Sequence, residues 1–242
     1  MAREETIQYL RASAPAVLPS MLLCDFGRLT DEVAALEAAG VRALHLDVMD
    51  GHFVDNLTYG LTLVEAFRRL TRLTLDVHLM ISNPAGYLRR YAEAGADSLT
   101  IHIEAVPEPN HVLEQIRELD VAAGLAINPS TPLEAIDLGG DPAEGTPGLA
   151  DLLLVMSVEP GFGGQSFQPV ALDKLRELRR RLGGDVLLEV DGGVNAGTIT
   201  DCAAAGADLF VVGSGIFRGD DYTASVGQLR DAARQGLASR GR

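Results

Sequence analysis

The chain has no tryptophan, one lysine (Lys174) and two cysteines (Cys24 and Cys202). Each scarcity excludes something. With aromatics at 5% of the chain, the core has to be built from Leu, Val, Ala and Ile. Two cysteines without paired spacing are not a disulfide framework and fit a reducing cytoplasm. Basic residues number 20 against 34 acidic ones, for a net charge of −14. Nucleic acid is therefore not an expected partner, because neutralising phosphates needs clustered Lys and Arg. A small anionic substrate stays open, since a local site can oppose the field of the whole molecule. No uninterrupted apolar run is long enough to span a bilayer. The opening segment, MAREETIQYLRASAP, lacks the apolar centre of a secretory signal.

What is present is a rhythm. Strand candidates fall at 16–23, 43–50, 74–80, 98–105, 122–128, 151–158, 186–193 and 208–214. Between them lie amphipathic stretches such as LTDEVAALEAAG, LVEAFRRLT, HVLEQIRELD and LDKLRELRRRL. The strand runs are nearly all apolar, as parallel strands covered by helices are. Gly40, Gly95 and Gly206 stand where a helix should end and the next strand begin. The 242 residues suit one domain, and the reading is an α/β chain forming a single (β/α)8 TIM barrel with a parallel eight-stranded core over residues 15–242. Residues 1–14 form an N-terminal extension. A segment rich in Gly, Pro and acid, 139–151, breaks the rhythm before strand 6 and reads as an exposed loop or a lid.

Polar residues inside such apolar runs carry a cost unless something satisfies them. His45 and Asp47 in ALHLDVMD lie two apart and so face one side of strand 2. His78 in TLDVHLM and Asp191 in LLEVDGG stand near the ends of strands 3 and 7. Catalytic groups of parallel barrels sit at those ends. Two imidazoles and two carboxylates are a donor set for one divalent cation, and ligand type does not choose among Zn, Fe, Mn and Co. Asp76 reads equally as a partner holding an imidazole or as a strand-end charge facing water. Glycines form a second constellation: PGFGGQ (160–165) after strand 6, DGG (191–193) at strand 7 and GSG (213–215) after strand 8. Barrels hold phosphate in the loops after strands 7 and 8, with backbone N–H groups as donors. Arg218 is the one cationic side chain expected nearby.

Together these residues resemble the ribulose-phosphate 3-epimerase family from about residue 15 to 217. The motifs are Pro19–Ser20, HLDVMDGHFV (45–54), LDVHLM (75–80), NPSTP (128–132), MSVEPGFGGQSF (156–167), EVDGGV (189–194) and GSGIF (213–217). The resemblance implies that His45, Asp47, His78 and Asp191 hold a metal, with Asp47 and Asp191 as the two acid/base groups. It implies substrate contacts at Ser20, His78, Gly161, Phe162, Gly163, Gly164, Asp191, Gly192, Gly193, Gly213 and Ser214, the glycines holding phosphate. Met49, Met80 and Met156 match methionines lining the family's pocket; core packing is the alternative reading.

The function implied is metal-dependent interconversion of D-ribulose 5-phosphate and D-xylulose 5-phosphate by two-base proton transfer at C3, in a cytoplasmic homo-oligomer. The chain departs from the family at Leu23 and Cys24, where a Ser-Ala pair is usual, and at residues 55–62, which read DNLTYGLT in place of Pro-Asn-Ile-Thr-Phe-Gly-Pro-Pro. Those departures keep a six-carbon substrate such as D-allulose 6-phosphate in view. A noncatalytic sugar-phosphate-binding barrel would not need two proton-transfer carboxylates. A decarboxylase would want a lysine at a strand end, and Lys174 falls in a helical stretch.

Overall fold

Alternation along each strand builds the molecule from two kinds of surface. The computed structural model describes residues 1–106, 108–137 and 148–240. Its strands are β1 (Ala16–Pro19), β2 (Ala43–Met49), β3 (Thr74–Met80), β4 (Ser98–His102), β5 (Ala122–Ile127), β6 (Leu152–Met156), β7 (Leu187–Asp191) and β8 (Leu209–Val212). They form one parallel eight-stranded sheet in the order β1-β8-β7-β6-β5-β4-β3-β2. A single parallel bridge from Ser20 to His45 brings the two edges together. The result is a nearly closed (β/α)8 barrel. β1 is shorter than its apolar run: after Pro19 the chain leaves the ladder and Met21–Leu23 coil into a 3-10 turn.

The helices are α1 (Arg3–Ser13), α2 (Leu29–Ala38), α3 (Leu61–Leu70), α4 (Leu88–Ala94), α5 (Pro109–Glu118), α6 (Val170–Leu182), α7 (Ile199–Ala205), α8 (Ser214–Phe217) and α9 (Tyr222–Ser239). Outward strand residues such as Leu44, Leu46, Leu75, Val77 and Val190 share one core with Val33, Leu36, Phe67, Ile116 and Leu175 of the helices. Gly95 ends α4 at φ +107°, and a Cβ there would lie 2.5 Å from Arg68 Cδ, so a larger residue would displace that side chain. Among the described residues, the β5–β6 connection holds a 3-10 turn at Leu133–Ala135. The sequence's excursion at 139–151 lies outside the described residues up to 147.

The barrel's interior is graded along its axis. Its floor is apolar: Ala16, Leu18, Ala43, Leu152, Leu187 and Leu209 pack with Leu10 of α1. The N-terminal extension is thus a helix seated on the barrel, further tied down by Arg3, whose guanidinium meets Asp151 at 2.5 Å. Leu10→Ala is expected to cost about 2–5 kcal/mol, the usual range for truncating a buried leucine. Urea denaturation reads it, and an unchanged midpoint would mean that α1 adds nothing to the barrel's stability.

Candidate active site

Register decides which polar side chains meet above that floor. In the β2–β3 ladder His45 lies beside Asp76, and Asp47 beside His78. Asp191 pairs with Met156 across β6–β7. His45, His78 and Glu189 are fully buried, with Asp76 at 1% exposure and Asp47 at 3%. So many ionisable groups out of water demand partners.

Most have them. Asp76 accepts from Ser98 Oγ at 2.5 Å, and its other oxygen lies 2.6 Å from His45 Nδ1. Asp76 therefore holds an imidazole and does not face water. Ser20 Oγ donates to Asp47 Oδ2 at 2.6 Å. The backbone N–H of Asp47 donates to Tyr59 Oη at 3.0 Å, which steadies the strand end. What remains is pointed: His45 Nε2 and His78 Nδ1 are buried without a hydrogen-bond partner. They lie 3.3 and 3.5 Å from Asp47 Oδ1. One donor atom from each of His45, Asp47, His78 and Asp191 lies within 4.8 Å of the others. Two orphaned imidazole nitrogens converging with two carboxylates fit a divalent cation.

The two carboxylates are tuned apart. Burial, then the charge of Asp47, pushes the Asp191 carboxyl up to about 7. Burial acts on Asp47 in the same sense, but His45 and His78 outweigh it and hold that carboxyl well below its ordinary range. Such a split is what general acid/base chemistry uses.

Sequence reading missed two members. Glu189, two residues before Asp191 and so on the same side of β7, sits 3.4 Å from His45 Nδ1. Burial, then Asp76, raises its carboxyl to about 8. His102 in β4 stacks on His78 with ring centroids 4.9 Å apart. The alternation that singled out His45 and Asp47 points to both.

A cleft of 430 Å³ opens above these groups. Ser20, Asp47, Asp191, the run Gly161 to Gly164, Gly192, Gly193, Gly213, Ser214 and Arg218 line it, as do Met49, Met80 and Met156. His45 and His78 lie beneath its surface. Phe162 is 58% exposed at the rim. Gly192 has φ +103°, and a Cβ there would fall 3.0 Å from Val158 N, so this turn has no room for a side chain. The divergent segment 55–62 braces the cleft: Asn56 Nδ2 donates to the Gly161 carbonyl at 2.5 Å, and Thr58 Oγ1 to the Asp47 carbonyl at 2.7 Å.

Residues 16–217 match the model of the ribulose-phosphate 3 epimerase family. The chain belongs to the ribulose-phosphate 3-epimerase family. It is 47% identical to the ribulose-phosphate 3-epimerase of Mycobacterium bovis over 223 residues, covering 90% of this chain and 93% of that protein. It is 44% identical to the enzyme so named from Synechocystis (90% and 94% covered) and 43% identical to that from Bacillus subtilis (88% and 97%). Among solved structures it superposes on orotidine 5'-phosphate decarboxylase from Pyrococcus horikoshii with a TM-score of 0.63 at 16% identity, covering 90% of this chain and 99% of that one. A tryptophan synthase alpha-subunit from Pyrococcus furiosus gives 0.63 at 17% identity, with 93% and 98% covered. These last two share the barrel alone.

Outside the cleft, this epimerase family member carries a second polar cluster. Glu104 follows β4 and accepts from the Asn128 backbone N–H at 2.8 Å and from Thr131 Oγ1 at 2.5 Å. Its other oxygen meets His102 Nδ1 at 3.1 Å. Lys174 reaches across from α6 and donates to the carbonyls of Asn128 and Thr131 at 2.6 and 2.5 Å. Burial pushes Glu104 up, but His102, Thr131 and Asn128 outweigh it and bring its carboxyl down to about 2 from an ordinary 4.5. A carboxyl lowered on folding stabilises the fold above its unfolded pKa. That contribution disappears as the pH falls from about 4.5 toward about 2. Glu104→Gln is expected to flatten the acid limb of the stability curve across that window. Denaturation midpoints at pH 5, 4 and 3, chosen to bracket it, check this; equal slopes in both proteins would refute it.

Proposed function

We propose that this chain is a metal-dependent epimerase that interconverts D-ribulose 5-phosphate and D-xylulose 5-phosphate. The observation that carries the proposal is the pairing of Asp47 and Asp191, held at opposite protonation tendencies beside the same cleft. Inverting C3 requires one carboxylate to remove the proton from one face and an acid to return a proton to the other. Asp47, held ionised by the two histidines, starts as base in one direction. Asp191, titrating near neutrality, is available as the acid. After transfer their states are exchanged, and the reverse reaction starts from there. The ketone carbon skeleton between them becomes a flat enediolate with no bond broken except C3–H.

His45, Asp47, His78 and Asp191 would hold the cation. Bound there, a divalent ion supplies Lewis-acid stabilisation of charge developing on the sugar oxygens. Zn, Fe, Mn and Co all suit the donor set. Ser20 orients Asp47 through its 2.6 Å bond. The glycine turns at 161–164, 192–193 and 213–214, with Arg218, offer the phosphate end a cradle on the same cleft. The relatives' printed names support the five-carbon substrate.

A homo-oligomer belongs to the same proposal by family analogy, and light scattering reads it. Among the described residues no helix is long and apolar enough to cross a membrane. Both cysteines are free and buried, which fits the proposed cytoplasmic setting.

Incubating metal-loaded protein with D-ribulose 5-phosphate in D₂O tests the reading. Xylulose 5-phosphate carrying deuterium at C3 is the expected product; neither product nor label would end it. Because residues 55–62 touch the cleft, kcat/KM for five- and six-carbon ketose phosphates separates this substrate from D-allulose 6-phosphate.

A further inference from the structure

A histidine can donate a lone pair to a cation only through a nitrogen that carries no proton, so the tautomer of each ligand imidazole must be set by its other nitrogen. His45 is straightforward. Asp76 accepts at Nδ1, and Nε2, without a hydrogen-bond partner, faces the site. His78 is not, because no carboxylate touches its Nε2. That nitrogen faces another imidazole nitrogen, His102 Nε2, at 2.8 Å. Two facing nitrogens at that distance share one proton, and geometry about His78 alone does not say which ring supplies it.

The answer lies one bond further out. The far side of His102, Nδ1, meets the Glu104 carboxylate, which only accepts. His102 therefore carries its proton on Nδ1 and presents a bare Nε2 to His78. His78 must then donate from Nε2, and its Nδ1 is left bare beside Asp47, where it has no partner. The chain Glu104, His102, His78 is directional, and its direction ends on the cation site. A competitor exists: Asp47 Oδ1, 3.5 Å from His78 Nδ1, would draw the proton to the wrong nitrogen. Bonds of 2.8 and 3.1 Å along the chain outmatch that long contact. Glu104 is itself fixed by Asn128 and Thr131, whose carbonyls Lys174 clamps. Phe53, with its ring centroid 4.9 Å from that of His102, packs against the middle of the chain.

We propose that Glu104 and His102 are positioning residues that fix the Nε2–H tautomer of His78 and so make its Nδ1 a metal donor. The proposal rests on the reading that His78 ligates the cation. Glu104→Gln removes the obligatory acceptor. An amide can turn its NH₂ toward His102, reversing both bonds and placing a proton on His78 Nδ1. Two measurements on wild type and Glu104→Gln at neutral pH test this.

Long-range ¹H–¹⁵N spectra of the metal-free proteins read the tautomers. Wild type is expected to show His78 protonated at Nε2 and His102 at Nδ1, and the variant to lose that pattern. Titration with Co²⁺ alone, followed by its visible absorption, is expected to show weaker binding in the variant by about 10–100-fold, the usual effect of removing a group that orients a metal ligand. Thr131→Val, which loosens Glu104 but leaves its charge, is expected to fall between the two and guards against a variant that fails to fold.

Wild-type His78 protonated at Nδ1, His102 protonated on both nitrogens, or unchanged tautomers and Co²⁺ affinity in Glu104→Gln would each overturn the proposal. Failure of wild type to bind Co²⁺, with the tautomers as stated, would instead count against the metal reading and leave the chain of hydrogen bonds standing.

Discussion

Asp191→Asn is expected to slow interconversion of D-ribulose 5-phosphate and D-xylulose 5-phosphate by up to about 10⁴-fold, the upper end of what a positioned proton-transfer group contributes. The amide keeps the size of the side chain, so folding should survive. The loss should be lopsided. In the proposed two-base reaction Asp47 remains on the other face and can still remove the C3 proton of whichever epimer presents it there. Solvent deuterium should therefore enter one epimer measurably faster than the two interconvert, and should not enter the other. Proton NMR of each sugar phosphate, incubated separately with the variant in D₂O, reads this directly. Equal exchange in both epimers, or a rate within tenfold of wild type, would show that Asp191 does not serve one face of the sugar.

Stripping the proposed divalent cation is expected to give the second large effect. Without it His45 Nε2 and His78 Nδ1 have nothing to bind, and the charge developing on the sugar oxygens loses its counterion. A fall in kcat of about 10³-fold, equivalent to about 4 kcal/mol of transition-state stabilisation, is expected after exhaustive chelation. Zn, Fe, Mn and Co salts should restore activity to different extents. The melting temperature should fall in parallel, because an ion bound only by the folded state stabilises it by mass action. Elemental analysis has to accompany the assay. Full activity in protein shown to be free of metal would contradict the proposed chemistry.

How much of this was legible in the chain differs residue by residue. His45, Asp47, His78 and Asp191 stand out because each interrupts an apolar run at a strand's end, and a period of two fixes which side they face. The barrel followed from the spacing of those runs. Asp76 could not be settled the same way: alternation put it inward, but depth below the cleft depends on register with β4, where Ser98 covers it. Glu189 and His102 obey the same alternation, but Glu189 stands two residues before Asp191 in EVDGGV, below the strand end, and His102 lies in a run that carries no motif. The role of the first 14 residues was hidden for a different reason. Their helix buries Thr6, Ile7 and Leu10, of which Leu10 joins the barrel floor, and so short a stripe makes a weak pattern. Lys174 was read as remote from the strand ends because it lies in a helix; its length lets it reach the end of β5.

That lysine has a practical consequence. Its ammonium is spent on two main-chain carbonyls and the residue is 7% exposed, so the native fold offers acylating reagents no ready side-chain amine. Burial also lowers its pKa, but an amine folded under its own helix against the end of β5 is still shielded from attack. The speed at which this position becomes labelled thus reports how often Lys174 lets go of those two carbonyls, readable by mass spectrometry in the unmodified protein.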